Sequence, residues 1–220
     1  MKVIDRFEYK TLKRETAKSG SRVYLTPDGA KVPSVTTVLS KTKDMSFLKV
    51  WKKRIGENRA KEIVTRSINY GNAVHKNLED YIVEGKEPSG NIFVKHMTNQ
   101  IIKKGLINVD EVWGVEVSLY NEGLYAGTCD VVGLHENVPA IIDFKNSRSL
   151  RKDEWIQDYK LQVAAYGMAH DSMFQTKINR GVVMLAVQTG QYQEWIIEGK
   201  DYIKACDDWA KRLEEYYIKY

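Results

Sequence analysis

Hydrophobic and polar residues alternate with a period of two through the middle of the chain. The stretches VWGVEVSLY, AGTCDVVGLH and PAIIDFKN show this alternation, and the turn-like segments NEG and ENVP separate them. Alternating runs bounded by such turns are typical of β-strands that pair in succession. The pattern therefore predicts a three-stranded meander over residues 112–146.

Other patterns surround this meander. A helical period predicts a helix at residues 151–170, and two apolar runs, GVVMLAV and QYQEWIIEG, predict further strands before a closing helix at residues 201–220. Helix, meander, helix and strand in this order are typical of an α/β protein. We therefore expect a mixed central sheet flanked by helices.

The first third of the chain is predicted to be mainly helical. The segment TPDG is a turn signal between two strand-like pieces, which indicates a short hairpin, and Ser34 or Thr36 is suited to cap a following helix. Helical periods then predict three helices, at residues 46–66, 70–84 and 89–105. We expect the N-terminal region, 1–106, and the remaining core, 107–220, to form one compact domain.

Composition excludes several classes of protein. The 220 residues are 43% hydrophobic and 29% charged, without an apolar run near the roughly 20 residues of a membrane helix. Cys129 and Cys206 are too few for a disulfide framework or a four-thiolate metal site. The N-terminal segment lacks the features of a targeting signal. We therefore expect a cytoplasmic protein of a bacterium or a phage-infected cell, without a membrane span.

Positive charge is concentrated in the first third. Residues 1–66 hold 17 Lys and Arg against 7 Asp and Glu, whereas residues 67–220 hold 17 against 22. This asymmetry suits a protein that binds a polyanion such as DNA with one region and metal cations with another, although a solvated basic surface gives the same counts. The candidate DNA contacts, clustered on a predicted basic helix, are Lys52, Lys53 and Arg54.

Three charged residues interrupt the apolar strands of the meander. By strand alternation Asp143 and Lys145 share a face, and pairing of neighbouring strands brings Asp130 to the same place. Buried carboxylates need a partner, and Mg²⁺ binds carboxylate oxygens while leaving room for water and a phosphate oxygen. The group indicates a site that hydrolyses phosphodiesters, with Lys145 acting on the attacking water or on the developing charge. A plain Asp–Lys salt bridge is the alternative.

An aromatic and polar stripe is predicted on the helix that follows. Trp155, Tyr159, Gln162 and Tyr166 are spaced by four, three and four residues, which places them on one helical face. Gln162 and Tyr166 can reach a phosphate or a water by hydrogen bonds, while Trp155 and Tyr159 can stack on bases. The stripe equally suits a helix whose rings only pack against the sheet.

Two further residues are candidate metal ligands. His75 follows Gly71 by one helical turn, where the glycine allows a close backbone approach, although a lone helical histidine is more often structural. Glu116 is an acidic residue within a predicted strand, on the face opposite to Val115 and Val117. It is either an outer ligand or exposed to solvent.

The order and spacing of these residues resemble a known nuclease superfamily, the PD-(D/E)xK nucleases, in its RecB-like branch. The matching features are His75, GTCD ending at Asp130, DFK from Asp143 to Lys145, and QVAAY from Gln162 to Tyr166. Within that branch, PSVTTVL, YAGTCD and IIDFKNS are similar to the family of the mitochondrial genome maintenance exonuclease and its bacteriophage relatives. The resemblance covers roughly residues 33–170.

The resemblance implies a restriction-endonuclease-like core that hydrolyses DNA with Mg²⁺ or Mn²⁺. It implies as metal ligands the side chains of His75, Asp130 and Asp143 and the backbone carbonyl of Phe144. It also implies a catalytic lysine and a supporting pair, namely Lys145 with Gln162 and Tyr166.

This chain departs from the family pattern in two ways. Asp143 stands where many members carry a glutamate before the x-Lys, a shorter carboxylate that the family tolerates. The cysteine set by which the CRISPR-associated relatives bind an iron–sulfur cluster is missing, so we expect no such cluster. The remaining pattern is unaffected.

The resulting hypothesis is a DNA exonuclease without sequence specificity, acting on single strands or DNA ends in replication, recombination or repair. A structure-selective or restriction-type endonuclease on the same core is an alternative, because a fold does not fix the product. A DNA-binding protein without catalysis is a second alternative. Protein partners, oligomeric state and cleavage polarity stay open.

Overall fold

Two β-sheets are present in the computed structural model, which describes residues 1–17 and 20–220 apart from the side chain of Phe47. In chain order the strands are β1 (Lys2–Val3), β2 (Lys13–Thr16), β3 (Arg22–Leu25), β4 (Lys31–Pro33), β5 (Val109–Asn121), β6 (Tyr125–His135), β7 (Val138–Ser147), β8 (Arg180–Val187) and β9 (Tyr192–Glu198). The main sheet has the order β1-β5-β6-β7-β8-β9, and the small sheet has the order β2-β3-β4.

The main sheet is mixed, which confirms the predicted fold class. Strands β5, β6 and β7 form the antiparallel meander, whereas β7 and β8 run parallel and β9 pairs antiparallel with β8. The short strand β1 pairs parallel with β5 and was not predicted. Parallel neighbours need a crossover connection, so a helix links β7 to β8 across one face of the sheet.

Helices cover both faces of the main sheet. They are α1 (Val35–Thr42), α2 (Ser46–Ile55), α3 (Glu57–Glu84), α4 (Ile92–Lys104), α5 (Gln157–Phe174) and α6 (Gly199–Lys219). Buried side chains of α1, α5 and α6 form one hydrophobic cluster with the sheet, and those of α3 and α4 form another on the opposite face. Within the described residues, no helix combines the length and the apolar composition needed to cross a membrane.

Two predicted helix boundaries are wrong. The chain breaks at Gly56, which has a φ of 87°, and not between residues 66 and 70, so α3 is one continuous helix. No proline or glycine interrupts residues 57–70, whereas a positive φ at residue 56 is open to glycine at little cost. The helix predicted at 151–170 begins only at Gln157, after a short 3₁₀ turn.

The predicted hairpin is confirmed and gains β2 as a third strand. Ser34 caps α1, because its side chain accepts a hydrogen bond from the backbone N–H of Thr37. The hydroxyls of Tyr24 in β3 and Thr128 in β6 lie 3.2 Å apart. The small sheet therefore lies beside the strand that carries Asp130.

Candidate active site

The two aspartates of the meander lie where β6 and β7 separate. The paired register ends at Val131 and Ile142, one residue before Asp130 and Asp143 would face each other. Asp130 Oδ2 instead accepts a hydrogen bond of 2.6 Å from the backbone N–H of Phe144. Both aspartates are buried, so the end of this strand pair holds two carboxylates away from bulk solvent.

Helix α3 brings His75 to the same point. Its Nε2 lies 2.9 Å from the carbonyl oxygen of Phe144 and donates a hydrogen bond to it. Its Nδ1 lies 3.3 Å from Asp130 Oδ1 and 3.7 Å from Glu116 Oε1. His75 is thus in contact with two carboxylates and a carbonyl that were predicted from separate segments.

Glu116 adopts an unusual backbone conformation in β5. Its φ is 50°, a region that costs a residue other than glycine ~1–3 kcal/mol. Alternation fails here, because Val115 packs on the cluster under α3 and Val117 on the cluster under α5. The prediction that both valines lie opposite Glu116 is therefore wrong. The bend turns the Glu116 carboxylate toward His75.

This group fits a divalent cation. In the described part of the chain, one group of three His, Cys, Asp or Glu side chains has its potential ligand atoms all within 4.8 Å of one another. The group consists of His75, Glu116 and Asp130. Ligands around a six-coordinate Mg²⁺ at 2.0–2.1 Å are separated by roughly 3–4 Å, and Mg²⁺ and Mn²⁺ prefer oxygen donors. The donor set, rich in carboxylate and carbonyl oxygen, matches that preference.

Asp143 is not part of this close group. Its Oδ2 contacts Lys145 Nζ instead. Burial raises the pKa of Asp143 to about 6, because the attraction of Lys145 offsets burial only in part and Asp130 repels a second negative charge. A nearby cation would remove that repulsion and favour the ionised carboxylate.

The other carboxylate of the pair is held ionised. Burial alone would raise the pKa of Asp130, but the charge of His75 and the hydrogen bonds to it and to Phe144 lower that pKa below its usual value. Burial likewise opposes a charged His75, yet Asp130 and Glu116 raise the pKa of His75 to about 10. The imidazolium therefore balances negative charge that a metal ion would otherwise balance.

Lys145 lies at the floor of the site as a charged group. Burial alone would lower its pKa, but Asp143 and Asp130 outweigh that effect and raise the pKa above the usual value. Its ammonium also lies 5.1 Å from the ring centre of Tyr159, in a cation–π contact. Lys145 is therefore suited to donate hydrogen bonds and to stabilise negative charge.

Helix α5 adds two of the four predicted stripe residues to the same cavity. Gln162 Nε2 donates a hydrogen bond of 3.4 Å to the hydroxyl of Tyr166. The Tyr166 ring packs on Gly127, where a Cβ atom would lie 2.8 Å from the ring, so the glycine of GTCD makes room for it. Trp155 lies in the 3₁₀ turn before α5, so its predicted place on the helical face is wrong.

The site opens into a cleft of about 620 Å³. Its walls include Arg14, Arg22 and Tyr24 from the small sheet, none of which stood out in the sequence. The excess of positive charge before residue 67 indicated a basic region, but it did not identify which of its residues would line the cleft. Lys52, Lys53 and Arg54 lie exposed on the last turn of α2 and do not line the cleft.

Comparisons with known proteins find similarity in structure alone. No family model matches the sequence, and no curated protein matches it significantly. The crystal structure of SSO0001 is 16% identical over 86% of this chain and 76% of its own, with a TM-score of 0.46. A protein described as a candidate exonuclease, from Eubacterium rectale, is 13% identical over 70% of this chain and 65% of its own, with a TM-score of 0.48.

Proposed function

We propose that this protein is a metal-dependent nuclease that hydrolyses phosphodiester bonds in DNA. The observation that supports it best is the contact of His75, Glu116 and Asp130 beside the Asp143–Lys145 pair at the floor of an open cleft. A structural salt bridge alone would not require a histidine and two further carboxylates at the same point. Arginines on the cleft wall suit an anionic substrate.

The cation would be held by His75, Glu116, Asp130, Asp143 and the carbonyl of Phe144. A bound Mg²⁺ or Mn²⁺ supplies a Lewis acid for a phosphate oxygen and lowers the pKa of a bound water. Asp130 and Asp143 are buried within β6 and β7, which keeps these donors in place before the substrate arrives.

Lys145 acts in the proposed reaction as a charged donor. Its raised pKa keeps the ammonium protonated near neutral pH, so it orients the attacking water and stabilises the charge that develops on phosphorus-bound oxygen. Gln162 and Tyr166 line the same cavity and hold each other by a hydrogen bond, which positions both for a phosphate oxygen or a water.

The proposal extends to exonuclease action on single strands or DNA ends, without sequence specificity. Its support is the resemblance of the DFK and QVAAY segments to RecB-like nucleases, which also suggests a role in replication, recombination or repair. The basic N-terminal region would hold the strand by its phosphates.

End-labelled single-stranded and double-stranded DNA, incubated with Mg²⁺ or with EDTA, tests the proposal. We expect Mg²⁺-dependent release of short products from linear DNA, no reaction in EDTA, and no reaction with the variant Asp130→Asn. Circular single-stranded DNA is the control for the mode of action, since cutting it would indicate an endonuclease. Absence of hydrolysis with Mg²⁺ and Mn²⁺ on every substrate would refute the nuclease function.

A further inference from the structure

A second groove lies next to the candidate active site. It has a volume of about 990 Å³ and is formed by α2, the first half of α3 and the loop from β7 to α5. Its apolar wall contains Leu48, Trp51, Ile63, Val64 and Trp155. Val64 is 41% exposed and Trp155 is 56% exposed. Apolar and aromatic side chains left open in a concave surface mark a binding site.

Cationic side chains border the aromatic wall. Arg148 and Arg151 line the groove, and Lys152 Nζ lies 5.7 Å from the ring centre of Trp155. Arg151 Nε is buried and has no hydrogen-bond partner among the residues that the structure describes. Aromatic rings interleaved with arginine and lysine are the combination that binds single-stranded nucleic acid, because bases stack and phosphates pair with the cations.

The acidic residues of the groove do not cancel this charge. Asp158 already pairs with Lys43 at 2.5 Å and lies 3.5 Å from Arg212. Among the described lining residues, Glu154 is the other acid. The remaining charge of the groove is therefore positive and complements a polyanion.

The loop that carries the arginines is held in place. Gln193 in β9 bonds both backbone groups of Arg151, accepting from its N–H at 2.7 Å and donating to its carbonyl at 2.9 Å. The backbone N–H of Ser149 donates to the side chain of Ser147 at 3.3 Å. A fixed backbone presents the groove in one shape, which lowers the entropy cost of binding.

The groove and the candidate active site are formed by neighbouring parts of the same chain segments. Arg148 follows Lys145 by three residues, and Ser67 and Ile68, which line the catalytic cleft, follow Val64 by about one turn of α3. At 1.5 Å per residue, Val64 lies roughly 16 Å along the helix from His75. One strand of nucleic acid can therefore contact both the groove and the candidate active site.

We propose that this groove binds the bases of an unpaired DNA strand whose phosphodiester backbone reaches the catalytic cleft. The inference rests on the proposed nuclease function and names how the enzyme selects its substrate. Trp51 and Trp155 stack on bases, and Arg148 and Arg151 bind phosphates. Bases within a duplex are already stacked and paired, so the groove selects single strands.

Binding of fluorescently labelled strands in EDTA, where no cleavage occurs, tests the inference. A short oligothymidylate is compared with an abasic strand of the same length, which keeps the phosphates and lacks bases. Trp155→Ala should weaken binding of oligothymidylate about 5- to 150-fold and leave the abasic strand nearly unchanged, since one stacked base is lost. Arg148→Ala should weaken both strands equally. Trp155→Phe should restore much of the affinity.

The control is Tyr220→Ala, which removes another exposed ring, at the end of α6, and should not change binding. Equal affinity of Trp155→Ala and the parent for oligothymidylate would overturn the inference, as would an equal loss on both strands. In either case DNA hydrolysis by the parent would leave the proposed function standing. A parent protein that neither binds nor cleaves DNA would refute both.

Discussion

Removing the charge of Asp143 should stabilise the protein in the absence of metal while abolishing cleavage. Burial raises the pKa of Asp143 to about 6, from the ordinary value of 3.8. The folded state therefore binds this proton more tightly than the unfolded chain does. Stability from this group is fully present below pH 3.8 and is lost as the pH rises through 6.

The size of the effect follows from the shift. A difference of about two pKa units corresponds to ~3 kcal/mol of unfolding free energy. The ionised carboxylate of Asp143 lowers the stability of the fold by about that amount at about pH 8, and by roughly half of it at about pH 5. Asp143→Asn resembles the protonated acid in shape and charge, so it should recover up to that amount. For a chain of this size, that is a rise in Tm of ~6–12 °C.

Asp130 provides the matched control, because its environment acts in the opposite direction. Its pKa is lowered, against the effect of burial, by the charge of His75 and by hydrogen bonds to His75 and to Phe144. Its ionised form therefore stabilises the fold above its ordinary pKa, and this stability is lost as the pH falls through the lowered value. Asp130→Asn should lower the Tm at neutral pH and also abolish cleavage.

Thermal unfolding followed by circular dichroism in EDTA, between about pH 5 and pH 8, measures both variants against the parent. The gain of Asp143→Asn should shrink toward the acid end. Added Mg²⁺ should stabilise the parent and have less effect on either variant, because a ligand that binds only the folded state raises its stability. A lower Tm for Asp143→Asn at pH 8, or near-parental turnover of either variant, would refute the reasoning.

Three further predictions concern the candidate active site and the basic residues on the last turn of α2. Lys145→Ala should lower kcat while calorimetry shows unchanged Mg²⁺ affinity, since the ammonium is not a ligand; lost metal affinity would show a structural role. His75→Ala should weaken metal affinity or change the metal preference, whereas a lower Tm with normal activity would make His75 structural. Neutralising Lys52, Lys53 and Arg54 should reduce the slope of log affinity against log salt, measured in Ca²⁺, by roughly 0.7 per lost phosphate contact on a single strand. An unchanged slope would mean that these exposed side chains do not contact DNA.

The central strands were predictable because their pattern and their turns act locally. Alternation with NEG and ENVP between the runs fixes which strands pair, and the lengths of those turns bring Asp130 and Asp143 to the point where β6 and β7 separate. The same alternation correctly puts Lys145 beside Asp143, where the two side chains are in contact. These features need no knowledge of distant packing.

Features that depend on distant packing were not predictable from the pattern. Arg14 and Arg22 reach the cleft only because the small sheet packs beside β6, and nothing in their own alternation indicates that neighbour. The continuity of α3 past residue 66 depends on apolar contacts of its second half with the sheet, which override a weak local period. The helical spacing placed Trp155 on the same helix as Tyr159, but α5 begins two residues after Trp155.

Glu116 shows why a site can contradict the pattern of the strand that carries it. A regular strand would place Val115 and Val117 on one face, and the apolar residues on both sides of Glu116 gave no sign of a break. The positive φ of Glu116 is unfavourable by itself, and it is maintained where its carboxylate meets His75 and Asp130. Strain of this kind persists only where the surrounding structure imposes it, and it concentrates at functional sites. The failure of alternation at Glu116 therefore coincides with the residues proposed to bind the metal.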